Sequence, residues 1–243
     1  MRFPHLIIFL FVVLTLVNCG GNESSQEESV IPEGITDARG LTDAAIQKQQ
    51  IGAFDEALEI LDKAVEVDPK FIEAYVRMGA VYDEWDKKTE AVAAFKKALQ
   101  VDPGSKDGRL GLAAVYSKLT RNDLAVKEYL QVVEATPNDL EIHFKIALEY
   151  WYIQKLPESA AAYQRVLELD PDHIQAHLNL ISVYEKMKEW NKALAEIQTS
   201  VQLGKQNNDE HAIAIAERKR KFILGRMNMT PEEYNRKTQP PFE

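Results

Sequence analysis

The chain has 243 residues, a formal net charge of −9, 45% hydrophobic and 28% charged residues, and a single cysteine. These values suit a globular protein and exclude wholesale disorder, a collagen and a multi-span membrane protein. One cysteine excludes an internal disulfide and a cysteine-cluster metal site. The acidic balance argues against an unpartnered nucleic-acid or anionic-membrane surface.

The chain opens with Met1-Arg2, a short positive start, and continues into an apolar run from Leu6 to Val17 broken only by Thr15. That run is too short for a membrane span, which needs about 20 apolar residues, and it suits the apolar region of a signal peptide. It closes on Leu16-Val17-Asn18-Cys19, followed by Gly20-Gly21. This ending resembles a bacterial lipoprotein signal, in which a leucine three residues before a cysteine marks the cut. It departs from that pattern at Asn18, where Gly, Ala or Ser is usual. The resemblance implies that residues 1–18 are a signal peptide and that Cys19 is acylated, for example with palmitate. With Gly20 rather than Asp after the cysteine, it also implies an outer-membrane destination facing the periplasm. Each buried methylene contributes about 0.8 kcal/mol, so two or three acyl chains would hold the protein stably. The alternative is an ordinary cleaved signal with Cys19 unmodified. Residues 19–37 are rich in Gly, Ser, Glu and Gln with Pro32 among them. They lack apolar periodicity and read as a flexible polar tether with a reach of roughly 25 Å.

The rest of the chain repeats. Pro69, Pro103, Pro137 and Pro171 stand 34 residues apart, three of them in Asp-Pro pairs at Asp68, Asp102 and Asp170 and the fourth after Thr136. With each unit numbered so that its proline falls at position 32, unit 72–105 places Tyr75, Gly79, Tyr82, Ala91, Phe95 and Ala98 at positions 4, 8, 11, 20, 24 and 27. Units 106–139 and 140–173 carry Ala113, Tyr116, Tyr129 and Ala147, Tyr150, Tyr163 in matching slots. Unit 174–207 has Lys205 at the proline position, and unit 38–71 has a degenerate first helix. This pattern resembles the tetratricopeptide repeat. The resemblance implies an all-α superhelical solenoid of about five helix–turn–helix pairs, with helix A at about positions 2–14 and helix B at about 15–29. Apolar residues at positions 4, 7, 8 and 11 share one helical stripe, and each proline closes helix B through the residue before it. Residues 208–226 read as a capping helix, whose basic run Arg218 to Lys221 is a solvated face. Residues 227–243 form a C-terminal tail, with Thr230-Pro231-Glu232-Glu233 starting a short helix.

No catalytic or cofactor chemistry is legible. The sequence contains no Gly-rich phosphate loop, no Gly-x-Ser-x-Gly elbow and no His-Glu-x-x-His pair. His173 and His177 stand four apart, as two metal ligands on a helix would. But His143 and His177 share position 4 of successive units, which points to a packing role instead.

In tetratricopeptide arrays, ligands lie against helix A positions 2, 5, 6, 9, 12 and 13, on the concave side. The resemblance therefore directs attention to Val76, Arg77, Ala80 and Asp83; Leu110, Gly111, Ala114 and Lys118; Phe144, Lys145, Leu148, Trp151 and Tyr152; and Leu178, Asn179, Ser182 and Glu185. The two-carboxylate clamp of the chaperone-tail version of the fold is absent, with Thr42, Ile46, Val76 and Ala80 at its positions. The aromatic set Phe144, Trp151 and Tyr152 suits a helix or extended peptide from a partner protein. The expectation is a membrane-tethered protein-binding scaffold of the bacterial envelope, without catalysis, metal, cofactor or nucleic acid. It is similar to lipoproteins of the pilotin, barrel-assembly and hydrolase-adaptor types. The second reading is a small-ligand-binding or accessory component of a periplasmic transporter.

Overall fold

A computed structural model describes residues 34–238. The signal peptide, Cys19, the tether up to residue 33 and the last five residues lie outside the described residues. Within them stand twelve α-helices and no strand. Five pairs follow the repeat: α1 (Ala38–Gln50) with α2 (Phe54–Val67), α3 (Ile72–Glu84) with α4 (Lys88–Val101), and α5 (Lys106–Lys118) with α6 (Asn122–Ala135). Then come α7 (Leu140–Tyr152) with α8 (Leu156–Leu169), and α9 (Ile174–Met187) with α10 (Trp190–Asn207). The long α11 (Glu210–Arg226) and the short α12 (Pro231–Thr238) close the chain. Each helix packs on the ones before and after it, and α1 touches α3, α3 touches α5 and α9 touches α11. This is the all-α superhelix of stacked helix pairs that the resemblance implies.

The small residues at positions 8, 20 and 27 let paired helices approach. Ala91, Ala98, Ala113, Ala125 and Ala147 are fully or almost fully buried. Where position 20 is Ser159, its hydroxyl donates to the carbonyl of Ala147 at 2.8 Å, so the polar atom is satisfied inside the pair. The aromatic at position 24 fills the space between units. Phe95 lies against Gly79 of its own pair and Gly111 of the next; a Cβ on Gly79 would stand 2.7 Å from its ring, and one on Gly111 would overlap it. Gly111 thus serves packing between units.

The Asp-Pro pairs have a local cause. Asp68, Asp102 and Asp170 are extended and each accepts, through its own carboxylate, the N–H two residues on: Lys70, Gly104 and Asp172, at 2.9, 2.8 and 3.2 Å. Proline sets the extended backbone of the residue before it, and the carboxylate makes the turn. Ser105, Asp139 and His173 then cap the next helices by accepting from Gly108, Ile142 and Ala176, the Ser and Asp caps contributing about 1 kcal/mol each. Without proline at Lys205, α10 runs four residues longer than the helix B of the earlier units, 18 against 14. Inside each pair the A–B turn places position 15 at positive φ: Gly52 at 76°, Asp86 at 61°, Thr120 at 56°, Gln154 at 59° and Lys188 at 60°. Only the first unit uses glycine there.

Candidate functional site

The inward-facing positions of the A helices sort into three groups. Val76 and Leu110 pack onto the central core cluster and Leu178 is buried, while Ala80 and Ala114 are half-buried between them. Arg77 and Lys145 each pair with a glutamate one turn earlier, Glu73 at 3.6 Å and Glu141 at 2.7 Å. Phe144 turns toward its own pair: its ring meets Tyr163 edge-on at 5.5 Å and stacks on His173 at 5.2 Å.

The third group forms a recess. Leu148, Trp151 and Tyr152 of α7 meet Asn179, Ser182 and Val183 of α9, with Tyr163 of α8 behind them, around a pocket of about 250 Å³. The helical spacing of 148, 151 and 152 puts all three on one side of α7. The polar wall is pre-set. Asn179 donates to the Tyr163 hydroxyl at 3.0 Å and accepts from Gln175 at 3.0 Å. Burial pushes the Tyr163 hydroxyl well above its ordinary range and the bond from Asn179 only partly offsets this, so the phenol stays neutral and able to accept. Lys186 lies over the Trp151 ring, 4.6 Å from its centre, and donates to the Gln154 side chain at 2.8 Å; a cation over an indole face attracts it and limits its motion. Tyr152 is different: it is 60% exposed. The sequence had singled out Leu148, Trp151, Tyr152, Asn179 and Ser182 for this face. It did not signal Tyr163, whose position 24 lies on helix B, Val183, whose position 10 is not among the inward ones, or the reach of Lys186.

A row of contacts joins the C-terminal ends of successive A helices and continues from α9 to the middle of α11. Gln49 donates to Glu84 at 2.7 Å, Lys118 pairs with Asp83 at 2.6 Å, Lys186 covers Trp151, and Lys219 pairs with Glu185 at 2.6 Å. Burial alone would raise the Asp83 carboxyl, but Lys118 and Lys88 together hold it below the usual carboxylate range. The corresponding pair between α5 and α7 is Ser117 and Tyr152, and among the described residues no such bond joins them. Those two helices are linked at their other ends instead, Lys106 to Asp139 at 3.0 Å.

The three histidines of the repeat array are occupied by backbone and carboxylate. His173 Nδ1 accepts the Ala176 N–H. His143 Nε2 donates to the carbonyl of Pro137 at 2.9 Å, and His177 Nε2 donates to that of Pro171 at 3.0 Å. His177 Nδ1 faces the Glu196 carboxylate. Among the described residues no group of three or more His, Cys, Asp or Glu side chains could hold a metal ion.

Models of the tetratricopeptide repeat match residues 72–105, 89–147 and 144–208, so together they run from 72 to 208. No curated protein matches the chain. Among solved structures, YrrB, described as a tetratricopeptide protein with an unusual peptide-binding site, is 26% identical, with a TM-score of 0.64 over 76% of this chain and 93% of that one. MamA from Desulfovibrio magneticus RS-1 is 22% identical, with a TM-score of 0.62 over 71% and 97%. A further MamA structure is 17% identical, with a TM-score of 0.65 over 71% and 94%. The two MamA likenesses are likenesses of fold alone.

Proposed function

The chain belongs to the tetratricopeptide repeat family, and we propose that it is a membrane-tethered interaction scaffold of the bacterial cell envelope. Its concave groove receives a helix or extended peptide of a partner protein and so assists assembly of an envelope complex. The observation that carries this reading is the recess between α7 and α9. An exposed Tyr152 and a Trp151 held by Lys186 stand beside pre-set polar groups at Asn179, on the face where this fold takes its ligands. Aromatic anchors beside fixed hydrogen-bonding groups are the usual dominant contacts of a protein interface. YrrB, whose description names a peptide-binding site, supports the same class of ligand. The volume of about 250 Å³ falls below the roughly 300–1,000 Å³ of pockets that enclose drug-sized molecules. It suits one bulky side chain of a peptide better than a transported solute.

The tether is proposed from Cys19 and the apolar run before it. No described helix is long and apolar enough to cross a membrane. Two experiments test the two halves. Affinity capture of the intact lipoprotein from solubilised envelope should recover a partner that Tyr152→Ala or Trp151→Ala loses, with thermal unfolding of Tyr152→Ala unchanged. Capture indifferent to both substitutions rejects the groove. Cys19→Ala should move the protein out of the membrane fraction, and retention there rejects the lipid anchor.

A further inference from the structure

The outermost helix has a face that the repeat architecture does not use. On α11, Ala212, Ala216, Ile223 and Leu224 are buried against the array. Lys219 and Arg220 are turned toward acidic partners, Glu185 at 2.6 Å and Glu217 at 3.0 Å. The opposite side, at spacings of three and four, carries His211, Ala214, Arg218, Lys221, Phe222, Gly225 and Arg226, all of them exposed, with Ile215 at its margin packed on the core. The two glutamates of α11, Glu210 and Glu217, border this face, Glu217 being paired with Arg220, and Arg218, Lys221 and Arg226 make no ion pair among the described residues. Phe222 stands among them, 50% exposed. The chain as a whole carries −9, yet α11 holds five Lys and Arg against two Glu, a local balance of 5 − 2 = +3.

We propose that this face of α11 seats on an anionic phospholipid surface. Unpaired cations concentrated on one side of a helix, with an aromatic ring projecting between them, match the charge and depth profile of a lipid interface. The cations meet headgroup phosphates and the ring enters the acyl boundary. The small side chains of Ala214 and Gly225 keep the surface flat enough for close approach. The choice of lipid over an acidic protein rests on the membrane attachment proposed above. With the tether before α1 and this face on α11, the two ends of the array would both be held to the membrane. The groove would then lie along the bilayer rather than float at the end of the tether.

The test uses a chain starting at Gly20, which keeps every described helix and removes both the apolar run and Cys19. Its binding to vesicles of phosphatidylcholine mixed with phosphatidylglycerol, and to phosphatidylcholine alone, is measured by co-sedimentation at low and high salt. Binding is expected to the anionic vesicles only and to weaken with salt. The double variant Arg218→Glu, Lys221→Glu should lower it by at least about ten-fold, and Phe222→Ser by a smaller factor, with unchanged circular dichroism and melting. Absence of binding to the anionic vesicles overturns the proposal, as does binding that the charge reversal leaves intact. If the reversal instead abolishes capture of an acidic protein while neither form binds vesicles, the face is a protein site and the proposal fails. Because this chain lacks Cys19, the outcome is independent of whether the lipid anchor exists.

Discussion

His177 donates from Nε2 to the carbonyl of Pro171, six residues earlier. The same bond recurs through the array from three kinds of donor: Tyr75 to Pro69, Arg109 to Pro103 and, again from a histidine, His143 to Pro137. Position 4 therefore closes the turn that the preceding proline opens. Where that donor is Arg109 or His177, a carboxylate stands 19 residues on, Glu128 or Glu196, and where it is Tyr75 or His143 the residue there is Ala94 or Ala162.

This arrangement makes His177 a titrating brace. Burial would lower its pKa below 6.5, but Glu196 and the Pro171 carbonyl accept from both ring nitrogens and together raise it. A raised folded-state pKa contributes stability that is fully present below pH about 6.5 and is lost as pH rises through the higher folded value. The stability difference between the native chain and His177→Ala should therefore be largest in mild acid, about 1–3 kcal/mol, and should shrink with rising pH. NMR titration of the His177 ring should give a pKa above 6.5, and a value below it would remove the brace from the account.

Gly111 tests whether inter-unit packing is set by Phe95. An added methyl gains helix propensity of roughly 1 kcal/mol but must displace a buried ring, for which overpacking costs of about 1–3 kcal/mol are usual. Since the overlap is with an aromatic side chain locked on both sides, Gly111→Ala should lower stability in chemical denaturation. Gly225→Ala, whose added methyl meets nothing, should raise it.

Thr120 holds φ at 56° although it is β-branched. The left-handed region costs an ordinary residue about 1–2 kcal/mol, and Asn tolerates it best among non-glycine residues. Thr120→Asn is expected to raise the midpoint of thermal unfolding, without touching any groove residue.

Lys205 sits where the other units have proline, and α10 continues past it to Asn207. Gly204 beside it lets Ile213 of α11 come close, and its carbonyl accepts from Asp209. Lys205→Pro would end α10 early and pull this junction apart, at a cost of about 3 kcal/mol. Hydrogen exchange should report the loss first in α11.

Much of this was legible in the sequence because the repeat period ties each residue to a slot. The proline spacing and the small residues at Gly79, Ala91 and Ala98 specify helix pairs, and the spacing of Leu148, Trp151 and Tyr152 specifies a shared side of α7. The histidine slot correctly pointed to a local structural contact. What escaped depends on reach across units. Gly111 reads as an inward position until Phe95 of the preceding pair is seen to occupy its space. Phe144 reads as a groove aromatic until its ring is seen against Tyr163 and His173. The positive φ at Thr120 and Lys188 left no mark, since neither residue favours it and only Gly52 carries the usual signal. The carboxylate that follows a cationic position 4 is written in the sequence at Glu128 and Glu196, at one shared slot of two units.

The missing contact between Ser117 and Tyr152 has a mechanical consequence. Elsewhere a polar or cation–aromatic contact ties the C-terminal ends of neighbouring A helices and resists their opening. Between α5 and α7 the tie is at the opposite end, Lys106 to Asp139, so the pair is expected to open like a door, hinged at that end with its free edge at Tyr152. The solenoid's softest bending mode is expected there, at its middle, with the amplitude greatest beside the recess. A ligand side chain lodged against Tyr152 would act as the latch, and its binding would stiffen the whole spring.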